Sequence, residues 1–203
     1  MKNPFGVAWE KTSYATVNNN WNEETKYKLT LSKCLKHAHT VLNHKKEVLR
    51  LCIIAGIPLQ GLVHDLSKFT PVEFIESAAF YQGDKTPIRV IKDTKGVCEA
   101  WLHHKGCNKH HWDYWVDNLS IGGTPNKMPY RYALEMACDI IAASKVYNGA
   151  KYKRSMPVEY FDGVIVNEHI HTDTVKFVHQ VLQNYAKYGD SALYPARTKQ
   201  VYV

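Results

Sequence analysis

GLVHDLSKF, residues Gly61 to Phe69, sets a histidine and an aspartate side by side inside an apolar run. A buried carboxylate without a partner is costly, so Asp65 requires a cation: Lys68 one turn later, another side chain, or a metal ion. Upstream, Gly56 reads as a helix stop and Pro58 as a first-turn residue. Leu59, Leu62, Val63 and Leu66 then share one face of a second helix. On this reading those leucines and the valine anchor the helix in a core, while His64 and Asp65 turn toward whatever neutralises them.

Working outward, Leu31, Cys34, Leu35, Ala38, Val41, Val48, Leu51 and Cys52 recur at three- and four-residue steps, which predicts a first helix from Tyr27 to about Ala55. Thr70, Pro71 and Glu73 form a capping-box start for a third helix. Ile88 to His104 reads as a further helix, HWDYWVDNL as a short aromatic helix or turn, and SIGGTPNKMP as a loop. Pro129 to Tyr147 is a strong helix, and HTDTVKFVHQVLQNYAKYG (171–189) a last amphipathic one. No alternating strand pattern with a hairpin signal occurs. The expected fold class is all-α, a helical bundle over residues 27–190, preceded by a polar arm (1–26) and followed by a tail (191–203).

Composition sets limits. The chain has 203 residues, 45% hydrophobic and 22% charged, which suits one good-sized core. No apolar run approaches the ~18 residues of a membrane span, and the start has no signal pattern, so a cytoplasmic protein is expected. Five cysteines are scattered without a CxxC pair, which favours buried thiols over disulfides or a cysteine zinc site. Cys107 and His110 form a CxxH pair that no second pair completes. The net charge of +7 is spread along the chain; it can attract phosphate-bearing ligands but equally serves solubility. The anomaly is histidine: eleven in all, eight of them between His37 and His111.

His44 is in phase with Val41, Val48 and Leu51, hence inward, and His37 lies seven residues earlier on nearly the same face. Glu135 and Asp139 are four apart, stacked on one side of their helix, with Asp139 flanked by Cys138, Ile140 and Ile141. Singly, each of these is more often a hydrogen-bonded core residue than a ligand. Together, His44, His64–Asp65 and Asp139 bring imidazole and carboxylate to the inward faces of three helices, the way helical bundles build metal sites.

The order H…HD…D centred on HDLSK resembles the HD-domain superfamily of metal-dependent phosphohydrolases. A closer likeness, in AGIPLQGLVHDLSKF, AWLHHKGCNKHHWDYW and MPYRYALEMACD, is to an uncharacterised bacterial and phage family of the same kind, over about residues 34–185. The resemblance implies an all-helical bundle in which His44, His64, Asp65 and Asp139 hold a divalent metal. It also implies that Lys68 assists phosphate binding or transition-state charge. His37 and His39 compete with His44 for the first ligand position. HHKGCNKHH is similar to the extra histidines of two-metal members, with His103 and His104 as further ligands, although the spacings differ and one or two ions remain open.

Mixed imidazole and carboxylate ligands suit Mn, Fe, Co, Ni or Zn, with Mg as a further option. Such a metal generates hydroxide near neutral pH for attack on phosphorus and polarises a phosphoryl oxygen. His110 and His111 are candidates to protonate the leaving oxygen, and Glu135 either to orient a ligand histidine or to act as a base. Lys105 is a candidate for phosphate; Trp112 and Trp115 suit core packing at three-residue helical spacing and, as the functional alternative, nucleobase stacking. Tyr130 and Arg131 are candidates for phosphate or ribose, although Arg131 suits a solvated first-turn position better. The leading expectation is a phosphohydrolase acting on a nucleotide or related small phosphoester, a cyclic nucleotide or dinucleotide included. The alternatives are a metal-containing module that binds a nucleotide or protein without turnover, and a metal-dependent nuclease. Membrane association is not expected; a homo-oligomer is compatible.

Overall fold

The structure is a computed structural model that describes residues 27–83, 85–117, 125–165 and 169–202. The expected arm (1–26) and part of the 120–129 loop lie outside the described residues. All regular structure among the described residues is helical. In chain order the helices are α1 (Leu31–Ile54), α2 (Pro58–Val63), α3 (Pro71–Ala79), α4 (Pro87–Lys95) and α5 (Glu99–Cys107). They continue with α6 (Tyr130–Asn148), α7 (Met156–Ile165), α8 (Thr172–Tyr188) and α9 (Pro195–Val201). Short 3₁₀ turns occupy Leu66–Phe69, Trp112–Trp115, Gly149–Lys151 and Gly189–Leu193. No helix of these is long and apolar enough to cross a membrane.

The main core forms where α1, α6 and α8 meet. Val48, Leu51 and Cys52 pack with Leu134, Cys138 and Ile141, and with Phe177, Val178 and Leu182. A smaller cluster of Phe80, Val90, Ile91, Cys98 and Ala100 ties α3, α4 and α5 together, with Trp101 against it. The inward seam of α1 runs His37, Val41, His44, Val48, Leu51, Cys52. At ~100° per residue Leu31 and Leu35 fall roughly 120–160° away from His37, and both are exposed. Their three- and four-residue spacing to one another is helical, but they belong to the outer face.

The largest departure from expectation concerns α2. Leu62, Val63 and Leu66 are 57%, 56% and 52% exposed, and Leu59 still more so; they do not anchor the helix. The residue that does is Gly61. A Cβ there would come within 2.8 Å of both Leu49 Cα and Cys52 Cβ, so α2 lies against the α1 backbone through the one position without a side chain. Helix α2 stops at Val63, and Asp65 adopts a left-handed backbone, φ 55°. The His64–Asp65 doublet therefore occupies a break between helices rather than a helix face.

Other boundaries also shift. Ile88–His104 is two helices, because Gly96 takes a left-handed C-cap at φ 78°. Thr70 starts α3, but its hydroxyl donates back to Ser67 O at 2.7 Å rather than capping, and Glu73 turns into the interior. Residues 191–202 pack against the bundle: Leu193 and Thr198 are buried, and Pro195 sits where a Cβ on Gly56 would meet it.

Candidate metal centre

The break at residues 64–65 is held in place by its neighbour in sequence to His44. Lys45 Nζ donates to Leu62 O at 2.6 Å and to His64 O at 2.7 Å, occupying carbonyls that end α2 without helical partners. In an uninterrupted helix consecutive side chains diverge by ~100°. The left-handed turn at Asp65 instead lets both side chains enter one buried cluster, where each residue is only 1% exposed.

Asp65 divides that cluster in two. Its Oδ2 faces His64 Nε2 at 3.3 Å, His44 Nε2 at 3.7 Å and Lys68 Nζ at 2.6 Å. Its Oδ1 faces His104 Nε2 at 3.3 Å and His110 Nε2 at 3.4 Å. On the first side, Asp139 Oδ1 completes the group at 3.0 Å from His44 Nε2 and 3.7 Å from His64 Nε2. On the second, His111 joins Asp65, His104 and His110; ligand atoms of these four lie within 4.8 Å of one another. Buried histidine and carboxylate groups are thus arranged so that they can hold a metal ion on either side of Asp65.

Two glutamates set the imidazole orientations. A carboxylate only accepts, so the Nδ1–H of His64 donates to Glu135 Oε1 at 2.9 Å and that of His110 donates to the same oxygen at 3.2 Å. The Nδ1–H of His104 donates to Glu73 Oε2 at 2.7 Å. In all three rings Nε2 is left for the cluster, the arrangement by which outer carboxylates fix ligand histidines. Within the described residues, Asp65 Oδ1, His110 Nε2 and His111 Nε2 are buried without hydrogen-bond partners. Unpaired buried polar atoms are rare, and three converging on one point fit a cation.

The charges within the cluster offset its burial. Burial opposes ionisation of Asp65, but His64, Lys68 and His110 overcome it and hold the carboxyl well below its usual range. Asp139 is likewise held low, against burial, by His44 and His64. Burial also opposes charge on His64, yet Asp65, Asp139 and Glu135 raise its pKa well above the ordinary value. His111 goes the other way: burial, then His110 and His104, push it far down, leaving a neutral imidazole of the kind that binds metals. Lys68 is raised because Asp65 and Asp139 outweigh its burial.

Residues 33–184 match the model of a family of unknown function (DUF5662). The chain belongs to that family. No curated protein and no solved structure matches it. Every residue of the cluster, from His44 to Asp139, lies within the matched span.

Among the residues singled out from sequence, His44, His64, Asp65 and Asp139 come together, and of the histidine-rich stretch His104, His110 and His111 join them. His103 does not: its Nδ1 lies 2.7 Å from Glu73 Oε1 and its ring beside Cys107 Sγ. His39 points outward and pairs with Asn43; His37 is buried two turns from His44, outside the cluster. Lys68, which the resemblance assigns to phosphate, is the salt-bridge partner of Asp65 in this structure. Glu135 orients two histidines.

The expected substrate-binding residues are elsewhere. Lys105 pairs with Asp113 at 3.3 Å. Trp112 and Trp115 pack on the main core, and Trp115 Nε1 donates to Lys109 O. Tyr130 bonds Thr198 at 2.6 Å, and Arg131 stacks over Tyr132. A cavity of about 730 Å³ does open on the cluster, lined there by His44, Lys68, His104, His111 and Asp139. Its walls come from α1, α3, α4, α5, α6 and α7, including Trp101 and Tyr147 rather than the HHWDYW aromatics. Glu73 is the site residue that sequence reasoning misassigned: its capping-box position hid it, and only its spacing from a histidine doublet could have hinted at the pairing.

Proposed function

We propose that this protein is a metal-dependent phosphohydrolase with an HD-type centre, acting on a nucleotide or related small phosphoester. The observation that carries the reading is the division of Asp65. One carboxylate presents its two oxygens to two separate sets of histidine nitrogens, beside a cavity whose floor also offers a lysine. His44, His64, Asp65 and Asp139 would hold one divalent ion, and Asp65, His104, His110 and His111 a second. The donor set suits Mn, Fe, Co, Ni or Zn better than calcium. A metal bound there supplies a water acidified toward neutral pH and a Lewis acid for a phosphoryl oxygen.

The chain's own groups do the rest. Lys68 carries three N–H donors; Asp65 takes one, and the others are available to phosphate oxygens as negative charge develops. Glu135 and Glu73 keep the histidine rings from turning, so that the centre is assembled before substrate arrives. Burial of the cluster removes competing water and strengthens each of these interactions.

Metal analysis of the purified chain, followed by phosphomonoester and phosphodiester hydrolysis with the metal found, tests the reading. Transition metal at one to two equivalents and chelator-sensitive hydrolysis are expected, both lost in His64→Ala. A protein that takes up no metal, or that hydrolyses no phosphoester when loaded, refutes it.

A further inference from the structure

We propose that the cavity beside the cluster takes a phosphomonoester whose remaining body is uncharged and largely apolar, and that His37 reads that body through a hydrogen bond. The phosphate end of this proposal rests on the phosphohydrolase reading; the body end rests on the cavity.

Charge argues first. At depth the cavity presents one lysine, Lys68, already engaged by Asp65. Lys85 and Arg89 lie at the exposed rim, where Arg89 Nε donates to both Asp93 oxygens at 3.0–3.1 Å, and Glu159 lines the same cavity. A di- or triphosphate chain needs several cations along its length; beyond the cluster and Lys68, the described lining offers it Lys85 and Arg89, both exposed and the second engaged by Asp93. The cavity walls are apolar at Val41, Pro87, Ile88, Trp101, Ile140 and Met156. Its volume of about 730 Å³ falls within the range of small-molecule sites.

His37 is a buried histidine in this lining, which also carries polar residues such as Thr40, Ser77 and Asn148. It is 6% exposed, and its Nδ1 is buried with no hydrogen-bond partner among the described residues. Burial, and then the charge of Lys68, lower its pKa to about 4, so near pH 7 it is a neutral ring with one donor and one acceptor. A buried imidazole nitrogen left unpaired is unfavourable. His37 lines the cavity, so a hydroxyl or carbonyl on the ligand body can meet its neutral ring, whereas a cationic group would be repelled by Lys68 and gain nothing from that ring.

The test is calorimetry on the full manganese-loaded chain with methylphosphonate, benzylphosphonate, the three hydroxybenzylphosphonate isomers and the β,γ-methylene analogue of ATP. The carbon–phosphorus bonds of the alkyl- and benzylphosphonates and the β–γ bridge of the ATP analogue are not hydrolysed, so release of a terminal phosphate does not enter the readout. Benzylphosphonate is expected to bind at least tenfold more tightly than methylphosphonate, the order expected for removing an aryl ring from water, and more tightly than the ATP analogue. One hydroxybenzyl isomer should gain a further fivefold or so, and His37→Phe should erase that gain. Ala143→Phe, which places a ring in the cavity, should cut the benzyl-to-methyl ratio at least tenfold. Should a variant fail to fold, the wild-type series decides alone. Equal affinity for methyl- and benzylphosphonate, preference for the ATP analogue, or no isomer gaining over benzylphosphonate overturns the proposal. Benzylphosphonate binding without hydrolysis of any ester would leave the cavity assignment standing and remove the hydrolase; hydrolysis with polyphosphate preference would do the reverse.

Discussion

Asp65→Asn is the substitution that most cleanly separates charge from shape in this protein. Position 65 has φ 55°, a conformation that asparagine tolerates better than other non-glycine residues, so the helix break is retained. What disappears is the negative charge accepting from Lys68 at 2.6 Å and facing imidazole nitrogens on both sides at 3.3–3.4 Å. Removing one partner of a buried ion pair costs about 3–5 kcal/mol. Lys68 keeps partial solvent access and the imidazoles can shed a proton, so we take about 2–3 kcal/mol for the metal-free protein. At ~2–4 °C per kcal/mol for a domain of this size, Tm in chelator at pH 7 should fall by about 5–10 °C. Wild-type protein with metal at roughly a hundred times Kd should gain ~2.7 kcal/mol, again several degrees, and the variant should gain almost none. Thermal unfolding of both proteins with and without chelator measures all four values. A variant that melts within 2 °C of wild type and keeps the metal-induced rise would show that Asp65 is neither the electrostatic centre nor a shared ligand.

Gly61→Ala should destabilise by about 1–2 kcal/mol in urea unfolding: relief of glycine's helix penalty offers ~1 kcal/mol. The new Cβ, however, would meet backbone at Leu49 Cα, 2.8 Å away, and overpacking of that kind costs ~1–3 kcal/mol or more; a stabilised variant would refute the close packing of α2. His37 predicts a pH dependence. Its folded pKa of about 4 lies below the ~6.5 of the unfolded chain, so the unfolded state binds the extra proton between those values and stability falls as pH drops through that window. The full effect is about 3 kcal/mol at ~1.4 kcal/mol per pKa unit. The wild-type stability relative to His37→Gln should therefore decline by that order from pH 7 to pH 4, and a constant difference in paired unfolding titrations would contradict it.

The cluster could be read from sequence because its members carry chemistry that a core otherwise avoids. His44 and Asp139 stand in phase with apolar neighbours on long helices, where periodicity fixes the direction of a side chain. The same logic failed at Leu59, Leu62 and Val63. Apolar residues on one face say that a helix has a face, not that the face is covered, and in α2 backbone contact through Gly61 decides which side is buried. Glu73 was hidden by ambiguity of another kind, since a glutamate three residues after a threonine suits both a cap and a histidine partner. The lining of the cavity was least legible. Trp112 and Trp115 sit beside the histidines in sequence, yet the short turn they form sends them to the main core. The cavity wall is assembled from six helices, α1 and α3 to α7, which no local pattern joins.

The C-terminal segment has a consequence for where the working unit ends. The family match stops at residue 184, yet Leu193 belongs to the main core and Pro195 closes on Gly56, at the corner between α1 and α2. That corner carries the strand of chain leading to His64 and Asp65. Trimming the protein to its recognisable family segment would thus remove a wedge from behind the doublet while leaving every candidate ligand in place. Such a shortened chain would retain the full signature of a metal protein in its sequence and lose part of the scaffold that makes the signature a site.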